Sequence, residues 1–322
     1  MTRIHKKTRT PSWSTTKHMV VIGFGHWGKA LSQSFHDAGY KISVIDIDQA
    51  VWAKAFSKPS LVLLSCPFEF ISDYLNKLKS EPHCVAVINA SKGIDRHSLK
   101  TFSELAKENL KVPFASLSGP SFADELLQKK PTACSLASTN KKFVATMTRR
   151  LSRPYFRIYA HSDPIGVEVC ASMKNVLAIA CGISDGLGFG SNARAALLTR
   201  ALPEMVKLVR KKKGKAASVF GLAGVGDLWL TASSNQSRNR SLGLLLGKGL
   251  ALKKALAKIN ETVEGIYTLD QIERLRKRYK LELPICESVF KVVIKNQKAS
   301  EAIKDLMSRS LRFEDSSDWK LY

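Results

Sequence analysis

An ionised side chain inside a long apolar helix is costly unless it is paired or used, and this chain carries one. Residues 163–185 read DPIGVEVCASMKNVLAIACGISD, and between Glu168 and Asp185 the single charged group is Lys174. Asp163 suits a helix N-cap and Pro164 the first helical position, where its missing N–H costs nothing. Ile165, Val169, Val176, Ala180 and Ile183 recur at helical spacing. Two readings of Lys174 stand side by side. Its ammonium can snorkel to water, or it can be desolvated, with a proton that a carbonyl substrate uses.

Other reactive groups sit in turns rich in glycine and serine. Ser91-Lys92-Gly93 puts a lysine beside a flexible glycine. Gly119-Pro120-Ser121 opens a helix whose free N–H groups and Ser121 hydroxyl can face an anion. In the stretch 221–243, read as a loop, three glycines precede Asp227, and Arg238 stands next to Asn239. A planar fork of donors with an amide beside it suits a phosphate. The plainer reading is that Arg238 and Arg240 solvate a helix end.

These groups need elements to position them, and the first half of the chain supplies a βα alternation. Residues 18–23 (HMVVIG) form a buried-strand run that leads into Gly23-Phe24-Gly25-His26-Trp27-Gly28 and a helix over 29–38. GxGxxG between a strand and a helix permits a tight turn, close approach to a pyrophosphate, and tight helix–strand packing. A second strand, 41–46 (KISVID), ends in Asp46, eighteen residues after Gly28. A carboxylate there can accept hydrogen bonds from the adenosine ribose of a dinucleotide and repel a 2′-phosphate. Further strands are expected over 60–66, 84–90, 113–118, 132–137 and 155–159. The fold class is therefore α/β: a Rossmann-type doubly wound parallel sheet. After residue 159 the β pattern stops. Helices are expected over 193–213, 238–247, 250–258, 266–278, 285–295 and 299–307, an all-helical second domain. The expected boundaries are a basic disordered tail at 1–17, a dinucleotide-binding domain at 18–160, a helical domain at 161–312 and a C-terminal tail at 313–322.

Composition narrows the classes of function. The 322 residues, 44% hydrophobic, are enough for two cored domains. No window reaches the apolar length a bilayer requires, so stable membrane insertion is not expected. The six cysteines lack metal-ligand spacing and read as buried thiols of a reducing compartment, with neither metal nor disulfide. Net charge is +24, but it is spread out apart from residues 1–18 and 207–215. No basic helix carries interleaved aromatics, so anionic small molecules are favoured over nucleic acid. The tail has no apolar run and is not a secretory signal; removing residues 2–18 is expected to leave stability unchanged. A cytoplasmic homodimer is expected.

Taken together, the motifs resemble those of the NAD(P)-dependent sn-glycerol-3-phosphate dehydrogenases of the soluble bacterial kind. They are GFGHWGKA (residues 23–30), SKG (91–93), SGPSFADE (118–125), DPIGVE and MKN (163–175), GLAGVGDLWLT (221–231), SRNR (237–240) and VEG (263–265), in that family's order. The resemblance implies reversible reduction of dihydroxyacetone phosphate to sn-glycerol 3-phosphate, the backbone of glycerophospholipids, with NAD or NADP as cofactor. It implies Lys174 as the catalytic lysine, with Lys92 and Asp227 beside it. Gly119, Ser121, Ser237, Arg238 and Asn239 fall at substrate positions. His26, Trp27, Lys92, Ala123, Arg238 and Glu264 join Gly23, Gly25, Gly28 and Asp46 at cofactor positions. An ammonium near the ketone oxygen can stabilise the developing alkoxide and protonate it. Lys92 can polarise the same oxygen and push one lysine toward neutrality.

Two departures from the family pattern stand out. Thirteen residues separate Asp46 from Ser60, where the family usually has a longer insert, and only a short helix over 49–57 fits. Asp46 itself stands where many relatives have a small residue, and Ile47 follows it. NADH is expected to be preferred over NADPH. The alternatives are another Rossmann-plus-helical hydroxyacid or ketone dehydrogenase, and a catalytically lapsed cofactor-binding relative.

Overall fold

The computed structural model describes residues 12–46 and 51–310. Seven strands form one sheet: β1 His18–Ile22, β2 Lys41–Ile45, β3 Ser60–Leu64, β4 Cys84–Asn89, β5 Phe114–Ser118, β6 Thr132–Ala137 and β7 Phe156–His161. Their spatial order is β2-β1-β3-β4-β5-β6-β7. β1 and β3 are buried along their whole length, as continuous apolar strands covered on both faces must be. Helix α1 His26–Asp37 covers one face. α2 Trp52–Ala55, α3 Ile71–Lys79 and α4 Phe102–Asn109 cover the other. The helix expected over 49–57 is confined to α2 among the described residues.

The sheet is not parallel throughout. β5 and β6 pair antiparallel, so β6 and β7 run against the first five strands. The cause is α5, Ala123–Leu127, which is only five residues long. It rises about 7.5 Å, too little to carry the chain back to the starting edge of the sheet. β6 therefore begins where β5 ends. The longer α6, Lys141–Leu151, makes that return, and β7 is parallel to β6.

The helical half is built round α7, Pro164–Gly186, twenty-three residues and almost wholly buried. Its mean hydropathy and length would suffice to cross a bilayer, which corrects the expectation from sequence; 94% of that window is instead buried inside the protein. Asp163 caps it as its type suggests, accepting from Gly166 N at 3.0 Å, and also from Lys215 N and Ser218 Oγ. Packed against it are α8 Gly190–Lys211, α9 Asp227–Ser233, α10 Arg238–Gly247, α12 Glu264–Tyr279 and α13 Pro284–Ile294, with α11 Leu252–Ile259 on α10 and α14 Ala299–Met307 on α13. The closest crossing is α7 on α10. Cβ atoms on Gly182 or Gly243 would lie 2.1 Å from the other helix's carbonyl oxygens, so only glycine lets the two backbones meet. The stretch 221–243 is therefore no loop: a π-turn at Leu222–Gly226 runs straight into α9, and α10 follows after four residues.

The expectation of a disordered tail is corrected for residues 12–17. Trp13 packs edge-on against Phe143 of α6 with centroids 5.2 Å apart. Arg150 donates to the carbonyls of Trp13 and Thr16, and Thr16 Oγ1 donates to Pro59 O at 2.7 Å. His18 is itself buried in β1, bonded to Ser60 and Ser43. Residues 1–11 and 313–322 of the two expected tails lie outside the described residues. Truncation of a fully buried aromatic costs about 3–5 kcal/mol; for half-buried Trp13, Trp13→Ala should cost about 1–3 kcal/mol. Calorimetry should show melting lowered by about 2–8 °C, and an unchanged melting temperature would restore the disordered reading.

Candidate active site

α7 carries Lys174 to the seam between sheet and helices, and the turn before α9 brings Asp227 against it. Gly224 makes that turn possible: a Cβ there would lie 2.0 Å from Val219 O. Asp227, at the first position of α9, is 1% exposed and is shared by two lysines. Lys174 Nζ donates to Oδ1 at 2.7 Å and Lys92 Nζ to Oδ2 at 2.7 Å. Lys92 comes from the loop after β4, a chain distance of 135 residues. The snorkelling reading of Lys174 fails, because its side chain is 9% exposed and paired.

Thr231, one turn beyond Asp227, completes the cluster. Its hydroxyl donates to Asp227 O at 2.6 Å and accepts from Lys174 Nζ at 2.8 Å. The i, i+4 spacing from Asp227 is its signal in the sequence, visible only when residues 227–233 are a helix and not a loop.

Three charges with a net of +1 occupy this buried spot, and the positions differ in which form they favour. Burial lowers the Lys174 pKa to about 8, with the Lys92 charge adding to the effect and Asp227 opposing it. Burial alone would lower Lys92 too, but the Asp227 carboxylate outweighs it and holds Lys92 above the ordinary lysine value. Burial would raise Asp227, yet the two ammonium groups win and keep it below the usual carboxylate range. The cluster thus holds one persistent cation, one anion, and one lysine able to give or take a proton near neutral pH.

The other expected site residues divide into two groups. Ser237 is buried and caps α10, accepting from Arg240 N at 3.2 Å. Asn239 is also buried, and its amide is committed: Nδ2 donates to Asn175 Oδ1 at 3.1 Å, and Oδ1 accepts from Gly265 N at 2.9 Å. It fastens α7, α10 and α12 together, and so joins the MKN, SRNR and VEG motifs at one junction. Arg238 and Glu264, the first residues of α10 and α12, are exposed beside it. Arg238 has only a loose surface pair, 3.3 Å to Glu261. Arg240 is instead structural, forked onto Asp185. Ser121 does not cap a helix; its hydroxyl turns back to Gly119 O at 3.1 Å, and Gly119 packs on the Cys134 backbone. Ala123 starts the short α5.

At the other end, the glycine loop has the shape a dinucleotide needs. Gly23 adopts φ +90°, and a Cβ at Gly28 would lie 2.3 Å from Gly23 O. A Cβ on Gly25 would meet nothing within 4 Å, so the backbone there is open to a pyrophosphate. His26 is exposed and Trp27 half-buried against the sheet core. The Asp46 carboxylate is held at the end of β2, accepting from Phe24 N at 3.2 Å. No group of three potential metal ligands occurs among the described residues.

A further buried acid, unremarked from sequence, locks α7 to the sheet. Glu168 accepts from Ser103 N at 3.1 Å and Ser103 Oγ at 2.5 Å, and from Ser116 Oγ on β5. Burial raises its pKa despite these donors.

Comparison with known proteins covers most of the chain. Models described as the NAD-dependent glycerol-3-phosphate dehydrogenase N-terminus and C-terminus match residues 47–144 and 163–304. The chain belongs to this family. Over 331 residues it is 40% identical to glycerol-3-phosphate dehydrogenase (NAD(P)+) of Solidesulfovibrio magneticus, covering 92% of this chain and 99% of that one. Over 318 residues it is 35% identical to the corresponding enzyme of Thermotoga sp. (strain RQ2), covering 91% and 98%. The crystal structure of glycerol-3-phosphate dehydrogenase from Coxiella burnetii superposes with a TM-score of 0.82 at 34% identity, over 91% and 99% of the two chains.

If Lys174 holds the proton at this site, Lys174→Ala should lower turnover by about two to four decades. Binding of the reduced cofactor, titrated by its fluorescence, should stay within a few-fold of the parent. Turnover within tenfold of the parent would remove Lys174 from the chemistry.

Proposed function

We propose that the chain is an NAD(P)-dependent glycerol-3-phosphate dehydrogenase that reduces dihydroxyacetone phosphate reversibly to sn-glycerol 3-phosphate for glycerophospholipid synthesis. The observation that carries this reading is the buried Lys92–Asp227–Lys174 cluster, set between a dinucleotide-binding loop and the start of α10. The bound nicotinamide cofactor supplies the hydride for the ketone carbon. Lys174 stabilises and protonates the oxygen on which charge develops. Lys92, the more firmly protonated of the two, polarises that oxygen. Asp227 and Thr231 fix the Lys174 ammonium, so little reorganisation is needed when the charge appears.

The phosphate is read at α10. Arg238 exchanges its loose Glu261 partner for the phosphate, which the partial positive charge at the helix N-terminus also favours. Ser237 and Asn239 act by holding that helix end in register with α7. By the family resemblance, Gly119 and Ser121 lie beside the substrate, and His26, Trp27, Ala123 and Glu264 contact the cofactor. The working unit is a cytoplasmic homodimer, checked by sedimentation. The primary test is NADH oxidation on addition of dihydroxyacetone phosphate. Binding of NADH without turnover would instead mark a lapsed relative.

Two consequences can be measured. Arg238→Ala should weaken catalytic efficiency far more for dihydroxyacetone phosphate than for unphosphorylated dihydroxyacetone. A charge-assisted bond to phosphate is worth about 1.5–3 kcal/mol, or roughly ten- to a hundredfold. Equal losses on both substrates would show that Arg238 does not read the phosphate. Second, NADH should exceed NADPH by about ten- to a hundredfold in catalytic efficiency, from roughly 1–3 kcal/mol of local repulsion at Asp46. Kinetics at matched pH and salt check this, and equal efficiencies would mean that Asp46 does not face the ribose.

A further inference from the structure

The crossover from β2 to β3 is the part of the chain that departs most from the longer insert usual in the family, and it borders the cofactor. β2 ends at Ile45 and β3 begins at Ser60, and β2 is the edge strand of the sheet. With the pyrophosphate on the Gly25 loop and the ribose at Asp46, the attached base must lie beyond the carboxyl end of β2. Its neighbours there are the short crossover and the helix that follows β3. A purine needs a flat apolar wall, and the usual segment that would supply it is missing.

The described residues of α2 and α3 beside the crossover are aromatic. Trp52 of α2 and Tyr74 of α3 have ring centroids 6.5 Å apart and planes within 2° of parallel. Trp52 is held firmly: its indole N–H donates to Glu81 Oε2 at 2.9 Å, Phe56 packs on it at 4.8 Å, and the Lys77 ammonium sits 5.7 Å over the ring. Tyr74 is only half-buried and faces a cavity of about 390 Å³ along α3, lined by Phe70, Asp73, Tyr74, Asn76 and Lys77. α3 follows β3, and the chain between them packs on the glycine loop, where a Cβ at Gly23 would lie 2.6 Å from Cys66 N. The cavity therefore lies along the helix that follows the strand and turn packed against the cofactor loop.

We infer that the adenine ring packs against Tyr74, braced by Trp52, so that an aromatic pair on α2 and α3 replaces the wall a longer crossover would provide. The inference rests on the cofactor reading above. Trp52 is a positioning residue, because its contacts fix the plane of Tyr74. Asp73 and Lys77 both line this cavity beside Tyr74, one charge of each sign.

Removing an aromatic platform from a stacked base should cost about five- to a hundredfold in affinity. The test titrates the fluorescence of two reduced cofactors, NADH and its truncated form NMNH, which lacks the adenosine half. In the full-length parent, NADH should bind at least about tenfold tighter than NMNH. Tyr74→Ala should weaken NADH by about five- to a hundredfold and leave NMNH unchanged, while Tyr74→Phe should keep parental affinity for both. Tyr74→Leu, which keeps an apolar side chain on α3, should show the same split as the alanine variant even if the latter fails to fold. Equal losses on NADH and NMNH, or no loss on either, would overturn the inference, as would equal affinities of the parent for the two. A parent that turns over dihydroxyacetone phosphate but shows no NADH advantage sinks the aromatic wall alone. A parent that binds neither cofactor sinks the cofactor reading with it.

Discussion

Moving an ammonium from water into a protein interior costs several kcal/mol unless a carboxylate and further hydrogen bonds meet it there. The helical half of this protein is organised around meeting that cost at Lys174. One carboxylate, Asp227, serves Lys174 through one oxygen and Lys92 through the other. Sharing the anion leaves the site one positive charge in excess. That excess favours a substrate oxygen on which negative charge grows, and it lowers the proton affinity of the more deeply buried lysine. Stability and chemistry therefore pull on the same three side chains: full neutralisation would make a better core and a poorer acid.

Holding the cluster requires two lengths of chain to be fixed relative to each other. Lys92 is delivered by the sheet, Lys174 and Asp227 by the helices. Glu168 joins them, since on α7 it takes hydrogen bonds from Ser103 at the start of α4 and from Ser116 on β5. On the helical side, the glycine contacts between α7 and α10 bring the start of α10 alongside the middle of α7. There the Asn175–Asn239–Gly265 junction locks the register. The start of α10, which carries Arg238, is thereby set at a fixed distance from the Lys174 ammonium. Buried Glu204 does similar work further out, capping α13 through Ile285 N and Cys286 N from α8.

Much of this was legible in the residues themselves. All seven strands read as apolar runs bounded by turn chemistry, and GxGxxG between strand and helix announced the cofactor loop. Lys174 was conspicuous as a lone charge on a small-residue helix. What escaped reading depended on length and on distant partners. The reversal of β6 follows from α5 being too short to cross the sheet, and a five-residue helix has no periodicity to measure. α9 looked like loop because its glycines lie in the π-turn before it, and without α9 Thr231 had no reason to face Lys174. The junction role of Asn239 was hidden because its partners, Asn175 and Gly265, are 64 and 26 residues away. Trp13 lay in a basic, Ser/Thr-rich segment whose composition hid one aromatic anchor. In each case the local pattern was true, and a contact from far along the chain decided the outcome.

Asp227 opposes burial and the Lys92 charge, and so holds up the proton affinity of Lys174. The most direct measurement is the pH dependence of kcat/KM for dihydroxyacetone phosphate reduction in the parent and in Asp227→Asn. Reduction needs Lys174 protonated, so the parent rate should fall as pH rises through about 8. Removing the anion leaves burial and the Lys92 charge, both of which favour the neutral amine, so the falling limb of the variant should move to lower pH. A limb that stays in place in Asp227→Asn, or moves to higher pH, would contradict the account.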